Sequence, residues 1–285
     1  MAGALELEWE EIFSSPVAAK KTSLGVNFLE ASKPTKVLPL VPGVQLELSQ
    51  SLEDLGIAGV VWDCGVVLAR ALSGELSSLV RGKQVLDLGC GGGAPAGLAA
   101  AACGAREVTL SDLPLVRPLV EANMAANLGV APNCHFAAYE WPQRDPQGSA
   151  GERSREEQHP PHGAPFDVVL CADCMYDTKI LDPLLAALTE VSAPGKTTLV
   201  LAYKRRVDDR ERPFFKKLSQ TWTLRLVPRS AFDGDFPAPP SQSPSTGQSA
   251  EAPPSRPLSR SPLADVHLLV ATRHPALFAA PPNLP

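Results

Sequence analysis

Short, nearly unbroken apolar runs recur along this chain, and most are separated by segments whose apolar residues return at helical spacing. The runs are QVLDLG (84–89), EVTLSD (107–112), CHFAAY (134–139), FDVVLCA (166–172) and TTLVLAY (197–203). Runs of this length without alternation are what a strand buried on both faces shows. Between them lie APAGLAAAACG (94–104), LPLVRPLVEANMAANLG (113–129) and KILDPLLAALTEVSAPG (179–195), each with Ala/Leu periodicity and a Gly or Pro near its far end. Strands alternating with helices predict βαβ units, and so an α/β fold: a parallel sheet with helices on both faces. The carboxyl end departs from this rhythm. WTLRLVP (222–228) and DVHLLVATR (265–273) are joined by polar chain without a helix, which predicts an antiparallel pair. Upstream, IAGVVWDCGVVLARALSG (57–74) reads as a helix ending near Gly74, preceded by an extended VQLELSQ (44–50).

Two stretches stand outside the pattern. Residues 143–164 are polar, charged and broken by Pro and Gly, and residues 233–262 are almost wholly Pro, Ser, Ala and Gly. Neither offers enough apolar surface to offset the entropy of ordering, so both are expected to be disordered loops. The remainder is expected to be one domain over residues 1–285, with an amino-terminal extension to about residue 42.

Composition narrows the partners. The net charge is −5 and the isoelectric point about 5.6, which argues against a nucleic-acid partner, whose phosphates usually select a basic surface. The first residues, MAGALELEWEEIFSSP, are acidic and lack the basic flank and apolar core of a secretory or transit signal. No apolar run approaches the ~20 residues of a membrane span. Six scattered cysteines suit reduced, buried thiols. The expectation is a cytoplasmic protein, also compatible with the nucleus, that is monomeric and not membrane-bound. CADC (171–174) is a lone C-x-x-C without a second ligand pair, and the five histidines show no ligand spacing, so no metal site is expected.

The chemistry concentrates at KQVLDLGCGGGAPAG. Gly89, Gly91 and Ala94 satisfy the G-x-G-x-x-G/A spacing of a strand–loop–helix nucleotide site, with Asp112 where a ribose-binding acid belongs. That spacing serves a dinucleotide or S-adenosylmethionine equally. Asp87, two residues before the first glycine, favours the second: a carboxylate suits a cationic ammonium and sulfonium, not a pyrophosphate. Its competing role is to cap the turn's own amides. Asp112 has a competing role as a helix N-cap, Trp62 as an ordinary core aromatic, and Tyr203 as a buried tyrosine at the site's rim. Asn123 and Asn127, four apart on a helix, read as surface or capping groups.

VVWDCGVVLARAL, VLDLGCGGG, VTLSD, EANMAAN, YEW and CADCMY occur here in the order found in seven-β-strand protein-lysine methyltransferases. The chain resembles that family, in particular its methyltransferase-like 21 type, from about Val44 to Arg273 apart from the two loops. The resemblance implies a Rossmann-like seven-stranded sheet, parallel with an antiparallel C-terminal strand. It also implies an S-adenosylmethionine-dependent enzyme acting on a lysine of a protein substrate, such as an AAA ATPase or another abundant cytosolic protein. By the same resemblance, Trp62, Asp87, Gly89, Cys90, Gly91, Asp112, Trp141 and Ala172 are expected at the cofactor. Asp173 and Tyr176, the Asp-x-x-Tyr motif, are expected at the methyl donor and the incoming lysine. Two departures are visible: Asp87 stands where relatives more often carry Glu, and the segment from the glycines to Asp112 is slightly long.

Overall fold

The computed structural model describes residues 13, 28–142, 159–206, 208–229 and 266–275. Nine strands are present among them: β1 (Thr35–Val41), β2 (Val44–Ser49), β3 (Gln84–Leu88), β4 (Glu107–Asp112), β5 (Cys134–Ala138), β6 (Val168–Ala172), β7 (Thr198–Lys204), β8 (Trp222–Leu226) and β9 (Val266–Arg273). The α-helices are α1 (Phe28–Ala31), α2 (Leu52–Leu55), α3 (Asp63–Ser73), α4 (Ser77–Val80), α5 (Pro95–Ala102), α6 (Arg117–Ala126), α7 (Leu181–Glu190) and α8 (Asp208–Leu218).

Seven strands form one sheet in the order β5-β4-β3-β6-β7-β9-β8. Strands β5, β4, β3, β6 and β7 pair in parallel, and β9 pairs antiparallel with both β7 and β8. The chain therefore winds outward from β3 through β4 to β5, then returns to lay β6 on the other side of β3. Ligands in open α/β sheets bind at that reversal, outside the carboxyl ends of the strands. Here the reversal sets the turn after β3 beside the turn after β6.

Both faces of the sheet are covered. Val85, Val168, Leu170, Val200 and Ala202 face one apolar cluster, shared with α3, α5, α6 and the β1–β2 hairpin. Leu86, Val169, Cys171, Leu199 and Leu201 face a second cluster built with α7 and α8. Consecutive residues thus enter opposite cores, which is why the strands read as continuous apolar runs. Truncating one fully buried leucine such as Leu86 to alanine costs roughly 2–5 kcal/mol.

Four local expectations change. Helix α3 starts only at Asp63, because Gly56–Gly59 is a 3₁₀ turn and Trp62 is extended at φ −78°, ψ 154°. Strand β5 is only half-buried, since it lies at the sheet's edge. The extension expected up to residue 42 contains β1, which pairs antiparallel with β2 and buries Leu38 and Leu40. Helix α8 was not expected: Pro213 inside it and its charged amino-terminal half mask its periodicity, yet Phe214, Phe215 and Leu218 are buried. Residues 143–158 and 233–262 of the two expected loops lie outside the described residues. The last part of the first loop runs against the sheet, with Gly163 at the side chain of Gln84.

Candidate functional site

The turn after β3 is built by its glycines and then closed by its own hydrogen bonds. Gly89 and Gly91 take φ of 71° and 64°, a region costly for residues with a Cβ. The amides of Gly89 and Cys90 donate to Ser111 O at 2.8 and 3.0 Å. Gly91 N donates to Asp112 Oδ2 at 2.8 Å, and Gly92 N to Ala58 O at 2.7 Å. Four successive loop amides are therefore spent inside the protein and are not presented to a ligand's phosphates.

Asp87 completes that closure. Its side chain is buried, and Oδ2 accepts the Gly97 amide in the first turn of α5 at 2.8 Å. The approach is possible because residue 97 has no side chain: a Cβ there would lie 2.2 Å from Leu110 Cδ2 and 3.0 Å from Asp87 Oδ2. Burial pushes the Asp87 carboxyl up to about 7; the Gly97 amide opposes this and the nearby Asp112 charge adds to it. A dinucleotide's pyrophosphate needs this helix start for itself. Here an aspartate already occupies it. The structure shows the competing role, in which Asp87 caps a backbone amide at the start of α5.

Asp112, half-buried at the end of β4, uses one oxygen for Gly91 N and the other for Leu113 N at 2.7 Å. Burial raises its carboxyl, and these two amides pull it back. Each oxygen keeps a second lone pair, enough for a pair of vicinal hydroxyls.

The walls gather around Gly89. A Cβ built on it would meet Cys174 Sγ at 2.9 Å and Trp141 Cζ2 at 3.0 Å, so the ring of Trp141 and the Cys174 thiol close directly on that glycine. Cys174 in turn donates to Leu88 O at 3.3 Å. Trp62 ties its indole Nε1 to Ile57 O at 2.9 Å, on the same 3₁₀ turn whose Ala58 carbonyl holds Gly92. Cys90 is buried beside this turn, and burial holds its thiol well above its ordinary value, with Asp112 and Asp87 adding to the effect. Among the described residues no cluster of His, Cys, Asp and Glu is placed to hold a metal ion.

Across the reversal, Ala172 ends β6 half-buried, and Asp173 follows in the left-handed conformation at φ 58°. Ala94 and Asp173 are the two non-glycine residues with positive φ among those described, and they follow β3 and β6 respectively. Such strain persists only where the surroundings impose it, and it clusters at functional sites. Asp173 is fixed by its amide to Ala202 O at 3.0 Å and by an ion pair with Arg206 at 2.8 Å. Tyr176, three residues on, stands 46% exposed, and burial of its remainder raises its hydroxyl above the ordinary value.

All ten expected site residues thus lie at or just beyond the carboxyl ends of β3, β4, β5 and β6 or on the segment entering α3. Gly97, Cys174 and Arg206 were not expected there. Gly97 left a weak signal, a further glycine inside an alanine-rich helix; Arg206 left none, being one of several cations after β7. Tyr203 is buried, with its hydroxyl bonded to Glu211.

Residues 41–221 match a family model described as lysine methyltransferase. Protein N-lysine methyltransferase METTL21A of Danio rerio is 31% identical over 186 residues, which cover 64% of this chain and 77% of that protein. EEF1A lysine methyltransferase 3 of Mus musculus is 30% identical over 189 residues, covering 66% of this chain and 74% of that one. Among solved structures, the O-methyltransferase TomG from Streptomyces achromogenes in complex with SAM aligns with a TM-score of 0.41 at 14% identity, over 78% of this chain and 83% of that one.

Proposed function

Because this chain belongs to the lysine methyltransferase family, we propose that the cleft at the carboxyl ends of β3 and β6 is its active site, with the cofactor on the β3–β4 side and the acceptor lysine on the β6 side. The enzyme transfers a methyl group from S-adenosylmethionine to a lysine side chain of a protein. When bound, the cofactor supplies an electrophilic methyl on a sulfonium. In this reading Asp112 accepts the ribose hydroxyls. Asp87, Cys90 and the glycine turn receive the cationic methionine end. Trp62, Trp141 and Ala172 shape the walls.

The acceptor side has a separate task. A lysine amine has a pKa of about 10.4, so presenting it neutral at pH 7 costs about 4–5 kcal/mol, at ~1.4 per unit. A dry channel lowers that cost by disfavouring the ammonium. Asp173 accepts an N–H of the amine and orients its lone pair, while Tyr176 bounds the channel. No enzyme nucleophile is required, and alignment supplies several kcal/mol of the acceleration.

The observation that carries this reading is the Asp87 carboxylate at the start of α5, above a turn whose amides are already taken: the site asks for a cation where a dinucleotide would place phosphates. For the acceptor, an abundant cytosolic protein is proposed, with an AAA ATPase as the first candidate, methylated in the cytoplasm by a monomeric enzyme. Calorimetry with S-adenosylhomocysteine and with NAD tests the cofactor side. Labelled S-adenosylmethionine added to a lysate, followed by fractionation and mass spectrometry, tests the acceptor side. Label on lysines of one or a few proteins is expected. Micromolar NAD binding, or label confined to nucleic acid, would overturn the reading.

A further inference from the structure

The ion pair beyond β6 is more than a brace. Arg206 Nη2 donates to Asp173 Oδ2 at 2.8 Å, and Nη1 lies 2.8 Å from Oδ1. The pair is nearly dry, with side chains 8% exposed for Asp173 and 16% for Arg206. Among the described residues, Asp173 Oδ1 and Arg206 Nε nonetheless meet no hydrogen-bond partner. Oδ1 thus has the guanidinium charge beside it but no aligned donor, so it keeps lone pairs free to accept one N–H.

Arg206 is itself held from three directions. Its amide donates to both oxygens of the buried Glu211 carboxylate on α8, at 3.1 and 3.2 Å. Glu211 also accepts the Tyr203 hydroxyl from β7, and Arg206 Nη1 donates to Lys204 O at 3.1 Å. Burial works against the guanidinium charge, but the contact with Asp173 more than offsets it and holds Arg206 above its ordinary value. Further titratable groups among the described residues face this pair. Lys204 is paired with Asp63 at 3.5 Å. Cys64 on α3 is kept protonated by burial, with Asp173 reinforcing the effect. Tyr176 stands on the turn that follows Asp173.

A lone buried carboxylate at a lysine channel would work against methyl transfer, because it would stabilise the ammonium, the form that cannot attack. Pairing it with a fixed cation cancels that attraction and leaves an oxygen able to accept one N–H. We propose that Arg206 is a positioning residue of the acceptor site, one that holds Asp173 as a hydrogen-bond acceptor for the neutral lysine amine while withholding its charge from the ammonium. This rests on the reading that Asp173 meets the acceptor lysine.

The test uses n-butylammonium as a stand-in for the lysine side chain, titrated by NMR into the full-length protein saturated with S-adenosylhomocysteine at pH 7. Arg206→Met is expected to bind it about tenfold more tightly than wild type, the change that one pH unit of altered amine protonation represents. Arg206→Lys, which keeps a cation, should bind as wild type does. Adding Asp173→Asn to Arg206→Met should abolish the gain. Methyl transfer into the protein fraction of a lysate should shift in parallel: the rise in rate with pH moves up by about one unit in Arg206→Met, while S-adenosylhomocysteine affinity stays within twofold. If Arg206→Met leaves both butylammonium affinity and the pH profile unchanged while Asp173→Asn still loses methyl transfer, Arg206 is a brace only and the inference falls. If Asp173→Asn transfers methyl groups normally, the acceptor reading of Asp173 falls first.

Discussion

Asp87 and Gly97 are bound to each other across the start of α5: the carboxylate accepts the glycine amide at 2.8 Å, and any side chain at 97 would break the approach. Burial holds this carboxyl at about 7, against an ordinary 3.8. Between about pH 4 and 7 the folded chain therefore keeps a proton that the unfolded chain releases. Stability contributed by this group falls as pH rises through that window and levels off above 7. Asp87→Asn should flatten this dependence and leave the variant on the order of 4 kcal/mol less penalised at pH 8, at about 1.4 kcal/mol per unit over the rise from 3.8 to about 7. Denaturant midpoints at pH 5, 6.5 and 8 check it; parallel curves for wild type and variant would refute it.

The same carboxylate should couple ligand binding to protons. A cationic methionine end favours ionised Asp87, so S-adenosylhomocysteine should release a proton on binding near neutrality. Its affinity should rise by up to about tenfold from pH 6 to 7.5. Calorimetry in two buffers of different ionisation enthalpy measures the proton directly. Asp87→Asn should bind without the release.

Gly89→Ala should damage the cofactor cleft more than Gly91→Ala does. Both positions have positive φ and carry a strain of roughly 1–2 kcal/mol. Only at Gly89 does the new Cβ strike protein, at Cys174 Sγ and Trp141, whereas at Gly91 its nearest neighbour is Ala58 O at 3.6 Å. Loss of S-adenosylhomocysteine binding together with a changed tryptophan emission is expected for Gly89→Ala, and equal effects at the two positions would contradict the wall built by Trp141.

Asp112→Asn should keep the fold, because the amide oxygen can still accept one backbone N–H. Losing the charge at the ribose should cost about 1.5–3 kcal/mol, or ten- to hundredfold in S-adenosylhomocysteine affinity. A titration with adenosine alone should show a similar loss if the contact is to the ribose.

Asn127→Ala should lower stability without touching the cleft. Asn127 exchanges two hydrogen bonds with Glu47 of β2, at 2.9 and 2.8 Å. Asn123 does the same with Ser49, at 2.7 and 3.1 Å, and also reaches Gly92 O at 2.9 Å. Removing the Asn127 pair should cost about 1–3 kcal/mol, or several degrees of melting temperature. Asn123→Ala should add a loss of cofactor affinity, because it also releases the glycine turn.

These asparagines show where pattern reading stops. Four apart on a helix, Asn123 and Asn127 look like surface groups, yet both are buried, their amides imitating a strand for β2. Nothing local marks them, because their partners lie about eighty residues away and the hairpin was itself only half visible. Pro39 within β1 weakens its strand signal, and Pro213 does the same to α8. Trp62 and Trp141 were named through the resemblance, and what the structure adds is their contacts: Trp141 lies against Gly89 and Trp62 is tied to Ile57 O.

The sequence by itself determined the βαβ rhythm, the strand that leads into the glycines, and the acids at its end and at the end of the next strand. Those features are encoded by residues close together in the chain, where periodicity, turn chemistry and spacing act directly. It also carried the Asp-x-x-Tyr motif as a resemblance. What only the tertiary structure decided is how charges are partnered across distance: that Asp87 reaches Gly97 past Leu110, that the loop amides are already consumed by Ser111, Asp112 and Ala58, and that Asp173 is answered by Arg206. A charge's behaviour depends on its burial and its nearest counter-charge, and both are set by the strand reversal that lays β6 against β3.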